Sequence, residues 1–280
     1  MSLDQLISKS IYVLREAHAQ FRNPAVLWST GKDSTTVLSL IRKAFFGEVP
    51  FPVIHIDTGF KFPEIYAFRD RIAKEWNLDL IVARNKEWFG KISPKTASRI
   101  ECCTKLKTEA LKQVIREYGF DAIIVSIRRD EHGIRGKERY FSPRDKNFRW
   151  KVYRERAGGD SGLEALQDVE LSGWGIFPSD FGPETDHVRV HPILHWTEVD
   201  VWRYILRERL PVNPLYFSRN GKRYRSLGCM PCTFPIKSNA STVEEILAEV
   251  MASRGKEREG RAQDKEDAYA MERLRALGYM

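Results

Sequence analysis

Two stretches of the chain hold side chains whose types and spacing suit chemistry. The first is Ser29-Thr30-Gly31-Lys32-Asp33-Ser34. Backbone N–H groups at a helix start attract anions. Gly31 lets the backbone approach a ligand closely. Lys32 adds a point charge, and Ser29 and Ser34 add hydroxyl donors. Asp33 repels any phosphate it faces, so its role is structural or linked to Mg²⁺. The Walker A pattern G-x-x-x-x-G-K-[ST] is absent, and an ordinary capped helix start is the plainer alternative. The second stretch is a set of thiols. The chain has four cysteines, the adjacent Cys102-Cys103 and the pair Cys229-x-x-Cys232. Tight thiolate pairs suit an iron–sulfur cluster or tetrahedral zinc. Isolated cysteines are more often small buried hydrophobes.

The elements that position these residues follow from periodicity. Leu3, Leu6, Ile7, Ile11, Leu14 and Ala17 recur at helical spacing. Asn23-Pro24 breaks that helix. Residues 25–28 then form a short apolar run, read as a buried strand. Helical spacing resumes over 35–45. Further strands are expected at 53–56, 79–82 and 122–125, with helices over 62–76 and 105–118 between them. Strand–helix alternation predicts an α/β fold with a parallel sheet and helices on both faces. Ligands bind such sheets at the carboxyl ends of the strands. Three polar clusters fall there: residues 29–34, Asp57-Thr58-Gly59, and Ser126 to Glu131. Their convergence argues for one active site.

The composition sets bounds. The chain has 280 residues, 42% hydrophobic and 30% charged, as expected of a soluble globular protein. No apolar run is long enough to span a membrane. The first residues lack the basic start and apolar core of a signal peptide, so a cytoplasmic protein with reduced thiols is expected. A net charge of +8 favours anionic partners. Residues 128–156 hold 11 Lys/Arg against 5 Asp/Glu, with aromatic residues interleaved. Residues 158–186 hold 7 Asp/Glu and no Lys or Arg. A loop or lid is therefore expected over about 140–187, within a domain spanning 1–235. Residues 236–280 read as a charged helical extension, either a partner-docking surface or a solvated helix.

S-x-G-K-D-S after a first strand resembles the pyrophosphate loop of the N-type ATP pyrophosphatase, PAPS reductase-like superfamily. The run from Tyr12 to Glu75, including His55-Ile56-Asp57-Thr58-Gly59, is similar to the small subunits of heterodimeric sulfate adenylyltransferases. So are Arg128-Arg129-Asp130-Glu131, Lys137-Glu138-Arg139, Val190-His191-Pro192, Trp196-Thr197-Glu198 and the Glu257 to Arg261 segment. The resemblance covers nearly the whole chain. Two departures are Thr30, where many members have glycine, and a shorter segment before Ser226. The resemblance implies an adenine nucleotide α-hydrolase-like, Rossmann-like fold. It implies transfer of the adenylyl group of ATP to sulfate, or another small oxyanion, with release of pyrophosphate. Lys32, Asp33, Arg128 and Arg129 take the catalytic positions. Ser29, Thr30, Gly31, Lys32, Asp33, Ser34, His55, Asp57, Arg135, Lys137 and Arg139 take the ATP and Mg²⁺ region. A separate GTPase large subunit is the implied partner, since the chain has no GTPase motif of its own.

The cysteines resemble a different branch. Adenylyl-sulfate reductases with a four-iron cluster carry C-C and a later C-x-x-C, with flanks like Cys102-Cys103-Thr104-Lys105 and Gly228-Cys229-Met230-Pro231-Cys232. The resemblance implies a [4Fe–4S] cluster on Cys102, Cys103, Cys229 and Cys232, with zinc the lesser alternative. Those reductases also need a cysteine near the C-terminus, and none follows Cys232. Reductase chemistry is disfavoured on that count. A runner-up is a cluster-bearing pyrophosphatase that thiolates DNA or tRNA with a cysteine desulfurase as sulfur source.

Overall fold

A computed structural model of the chain describes residues 1–131, 138–150, 181–253, Glu257 and residues 277–278. Helix α1 (Leu3–Gln20) opens with a capping box. Ser2 Oγ accepts the Gln5 N–H at 3.2 Å, and Gln5 Oε1 accepts the Ser2 N–H at 2.8 Å. Strand β1 (Pro24–Leu27) follows, then α2 (Lys32–Ala44), β2 (Val53–Ile56), α3 (Pro63–Glu75) and β3 (Leu80–Ala83). Helix α4 (Arg99–Cys103) runs through a π-helical turn at Thr104–Thr108 into α5 (Glu109–Tyr118). Gly119, at φ 66, takes the left-handed cap that ends α5. Strands β4 (Ala122–Ile124), β5 (Phe141–Arg144) and β6 (His187–Val190) lead to α6 (Glu198–Glu208). A short pair, β7 (Lys222–Arg223) and β8 (Ile236–Lys237), precedes α7 (Val243–Ala252).

Six strands form one sheet in the order β3-β2-β1-β4-β6-β5. All neighbours are parallel except β5 and β6, which pair Phe141 with Val190 in antiparallel register. Alternate β1 residues face opposite layers, as a strand's two-residue period requires. Val26 packs with α1, α2, α3 and α6, whereas Ala25 and Leu27 pack with α5. The expected α/β sheet with helices on both faces is therefore present. The chain runs outward from β1 to β2 and β3 on one side, and to β4 on the other. The strand order thus reverses between β1 and β4, which opens a crevice beyond their carboxyl ends.

Three local differences from the sequence expectation have physical reasons. Helix α2 begins at Lys32 rather than Thr35, because Gly31, at φ −76 and ψ 166, already serves as its cap. The helix expected from Lys105 begins at Arg99, where Ser98 Oγ accepts the Glu101 N–H. The stretch read as a lid over 140–187 begins with β5 and ends on β6, so both of its ends belong to the sheet. Its residues 151–180, with Arg135 and Lys137, lie outside the described residues. In the C-terminal extension, α7 buries Ile246 and Val250 in the main core. Among the described residues, no helix is long and apolar enough to cross a membrane.

Candidate active site

A cleft lies at the reversal point, walled by Leu27 at the end of β1, by Trp28 after it, and by Val125 to Ile127 after β4. Ser29, Gly31, Lys32, Asp33 and Ser34 form its floor. The first N–H groups of α2 have no acceptor within the helix, and Lys32, Asp33 and Ser34 of its first turn line this space. The Lys32 N–H donates to Tyr216 Oη at 2.9 Å. Ser29 and Ser34 hydroxyls lie 3.1 Å apart, and Ser34 Oγ donates to the Gly31 carbonyl at 3.2 Å. Thr30 does not line the cleft. It is fully buried at φ 66, with its hydroxyl donating to the Ser29 carbonyl at 2.6 Å.

The charged groups form one network. Lys32 Nζ donates to Asp33 at 3.0 Å and to Glu257. Arg128 Nε donates to Asp33 at 2.8 Å, Nη1 to Asp130 at 2.5 Å, and Nη2 to Glu257. Lys32 and Arg128 are both essentially buried. Burial opposes their charged forms, but Asp33 and Glu257 outweigh it at both, with Asp130 adding to the effect at Arg128. Both cations therefore hold their protons more tightly than usual. Burial likewise opposes the Glu257 carboxylate, and Arg128 and Lys32 overcome it, so its pKa falls. Asp130 also accepts the Glu198 N–H at 3.0 Å, which ties the β4 end to the start of α6.

Other expected site residues are placed elsewhere. Arg129 turns from the cleft, donating to the Glu138 carbonyl at 2.9 Å and contacting His195 Nε2 at 2.5 Å. Asp57 accepts the Gly59 N–H at 2.9 Å, the Tyr66 hydroxyl at 2.8 Å and Arg84 at 2.7 Å. Those bonds occupy its carboxylate in shaping the turn after β2. His55 Nδ1 meets the Trp28 carbonyl at 3.0 Å. Burial, assisted by Lys61, pushes its pKa down to about 3, so it is neutral. Arg139 is exposed, and its carbonyl meets His191 Nδ1 at 2.6 Å. Neither Asp57, His55 nor Arg139 lines the cleft. Tyr216, Lys61, Lys107 and Glu257 do. Tyr216 and Glu257 are far from the turn in sequence, and no local spacing marks them as its partners.

The thiols converge. Cys102, Cys103, Cys229 and Cys232 are buried and line one small recess with Phe60 and Leu106. An isolated bridge pairs Lys61 with Cys229, and Thr58 Oγ1 lies 3.2 Å from Cys229 Sγ. Lys107 lines both the recess and the cleft at the reversal point. Burial, with the neighbouring cysteines, pushes Cys102 up to about 12. Among the described residues, no three His, Cys, Asp or Glu are grouped to hold a metal ion. Four soft donors around one recess nevertheless fit the chemistry of a larger iron–sulfur group.

Comparison with known proteins follows the same lines. The model of the phosphoadenosine phosphosulfate reductase domain matches residues 23–235. Sulfate adenylyltransferase subunit 2 of Pseudomonas paraeruginosa is 38% identical over 99% of this chain and 97% of its own length. The protein of the same name from Aeromonas salmonicida is 38% identical over 99% of this chain and 95% of its own. Two solved structures share the fold alone. Phosphoadenylyl-sulfate reductase from Candida auris, in a phosphate complex, has a TM-score of 0.51 at 19% identity, over 82% of this chain and 97% of that one. FMN adenylyltransferase from Candida glabrata, bound to ATP, has a TM-score of 0.56 at 17% identity, over 83% of this chain and 63% of that one. A domain match across residues 23–235 and relatives aligned over nearly their full length place this chain in the phosphoadenosine phosphosulfate reductase domain family, among the sulfate adenylyltransferase subunit 2 proteins.

Proposed function

We propose that the chain transfers the adenylyl group of ATP to sulfate, releasing pyrophosphate, as the nucleotidyltransferase subunit of a two-chain sulfate adenylyltransferase. The observation that supports this most directly is that Ser29, Gly31, Lys32 and Ser34, at the start of α2, line the cleft at the sheet's reversal point in a chain 38% identical to subunit 2 proteins. In this reading a sulfate oxygen attacks the α-phosphorus in line. The bond from that phosphorus to the bridging oxygen breaks, and pyrophosphate leaves with the electron pair. Sulfate is a weak nucleophile, so positioning and charge neutralisation carry the rate. Lys32 and the α2 N–H groups neutralise the leaving pyrophosphate. Arg128 holds Asp33 and Asp130 so that Lys32 faces the phosphates. Asp33 and Glu131, carboxylates on the cleft wall, suit the Mg²⁺ that accompanies ATP.

The sulfate–phosphate anhydride is high in energy, so the reaction needs an energetic partner. The likeness to subunit 2 proteins points to a large subunit as that partner, and the family resemblance implies that it hydrolyses GTP. Cys102, Cys103, Cys229 and Cys232, which line one recess beside the cleft, would hold a [4Fe–4S] cluster. Such a cluster supplies a fixed structural anchor or an electron-transfer centre when bound.

Purified protein with its large subunit, ATP, Mg²⁺ and sulfate is expected to release pyrophosphate and form adenylyl sulfate. Lys32→Ala is expected to lower that rate at least about 100-fold. Absence of adenylyl sulfate with and without the large subunit would overturn the assignment. Pyrophosphate release that requires DNA or tRNA rather than sulfate would replace it with nucleic-acid thiolation.

A further inference from the structure

Glu257 lies far along the chain from the turn and yet sits at its centre. Its side chain is 7% exposed. One carboxylate oxygen, Oε1, accepts from Lys32 Nζ, and the other, Oε2, accepts from Arg128 Nη2. Lys32 opens α2 after β1, and Arg128 follows β4. The carboxylate therefore spans the two loops that flank the reversal point. Two oxygens held by one ammonium and one guanidinium is also the arrangement that a phosphate or sulfate group would make there. Glu257 lines the same cleft as Ser29, Gly31 and Ser34.

The charges sharpen the point. With Glu257 present, Lys32 and Arg128 face Asp33, Asp130 and Glu257, so the network carries a net negative charge. A polyanion that reaches Lys32 and Arg128 meets cations already paired with carboxylates. Without Glu257, two cations balance two carboxylates and the adjoining α2 N–H groups tip the site toward anions. Lys32 and Arg128 also cannot lie buried without an anionic partner, because an unpaired buried charge is strongly unfavourable. Asp33 and Asp130 keep a partner on both cations, and an anion in the Glu257 position adds one further contact to each.

We propose that Glu257 is an internal occupant of the oxyanion cradle formed by Lys32 and Arg128, and that a polyanion of the pyrophosphate class binds by exchange with it. This rests on the reading of residues 29–34 as a phosphate-binding turn. Exchange keeps both buried cations paired in the free and the bound protein. It also sets a threshold for entry. A ligand must offer more charge, or more oxygens, than one carboxylate does. Inorganic pyrophosphate meets that condition, and a lone monoanion does not.

Calorimetric titration with inorganic pyrophosphate, on the full chain, tests the exchange. Glu257→Gln keeps the side-chain shape and removes the charge. It is expected to bind pyrophosphate at least about tenfold more tightly than the wild type. Equal or weaker binding by Glu257→Gln would overturn the proposal. Weaker binding together with lost Mg²⁺ dependence would instead make Glu257 a metal ligand. Thermal unfolding supplies a second readout. Without ligand, Glu257→Gln is expected to melt below the wild type, having lost one charged partner of each of two buried cations. In saturating pyrophosphate the gap is expected to close, because the ligand has replaced the carboxylate in both proteins. A gap that persists would show that Glu257 stays in the cradle, and would overturn exchange. Pyrophosphate binding that Lys32→Ala abolishes leaves the turn's assignment intact whatever Glu257 does. No binding by wild type, Glu257→Gln or Glu257→Ala, all folded by circular dichroism, would overturn both.

Discussion

Lys32 and Asp33 are legible from the chain, because a strand, a glycine turn and a helix start put them where N–H groups converge. Arg128 is legible as a candidate, but its work is different from direct anion contact alone, since Asp33, Asp130 and Glu257 occupy its donors. Those partners come from three places in the chain, and a linear pattern does not bring them together. The cysteines show the same division. Two tight pairs announce a thiol site, yet their meeting in one recess, beside the bridge between Lys61 and Cys229, is a matter of the fold. Burial pushes Cys102 up to about 12, so without a cation the thiol stays protonated and inert. A cluster reverses that balance, because bound metal favours the thiolate. Anaerobically purified protein is therefore expected to carry about four iron atoms per chain with the broad visible absorbance of a cluster. Cys103→Ser and Cys229→Ser should each lose most of that iron. Stoichiometric zinc, or four thiols titratable in the native protein with no iron, would remove the cluster.

At the scale of elements, the strand–helix alternation is legible because each strand is a short apolar run bounded by polar turns. Strand β5 is not. Its sequence Phe-Ser-Pro-Arg contains a proline and two polar residues, and only pairing with β6 at the sheet edge makes it a strand. The turn after β1 holds a further feature visible only in three dimensions. Thr30 sits at φ 66, a conformation that costs a β-branched residue about 1–3 kcal/mol. Glycine adopts it freely, which gives a physical reason for the glycine common at this position in the wider superfamily. Comparing Thr30→Ala with Thr30→Gly isolates the backbone effect, because the two differ only in the β-carbon. In a helix or strand, glycine is the less stable of the two. Here Thr30→Gly is expected to be more stable than Thr30→Ala by about 1 kcal/mol in urea unfolding. The usual order, alanine above glycine, would show that the turn carries no such strain.

The whole molecule has a charge pattern that the sequence states only as a total of +8. What folding adds is the burial of ionisable groups, and histidine shows its consequence most clearly. Burial pushes His55 down to about 3, with Lys61 adding to it. It pushes His187 down to about 2, with Arg189 and Arg144 adding to it. It also pushes His191 down to about 4. An unfolded histidine titrates near pH 6.5. Between that value and the folded values, these side chains bind protons only when the chain is unfolded. The unfolded state then carries more protons, so unfolding free energy rises with pH and falls as the solution is acidified. Each such histidine contributes about 1.4 kcal/mol per pH unit once its unfolded form is fully protonated. Together the three approach roughly 4 kcal/mol per pH unit below about pH 5.5, against a total stability on the order of 5–15 kcal/mol. Glu257 acts in the same direction. Its depressed pKa stabilises the fold above the ordinary carboxylate range, and that contribution is lost as pH falls further. Urea unfolding from pH 7 to pH 4.5 is therefore expected to show a steep loss of stability beginning near pH 6.5, where carboxylates remain charged. A His187→Gln, His191→Gln double variant starts lower at pH 7 but should lose stability less steeply over that range. A wild-type profile flat between pH 6.5 and 5, or an unchanged slope in the double variant, would mean that the imidazoles are not held neutral by the fold.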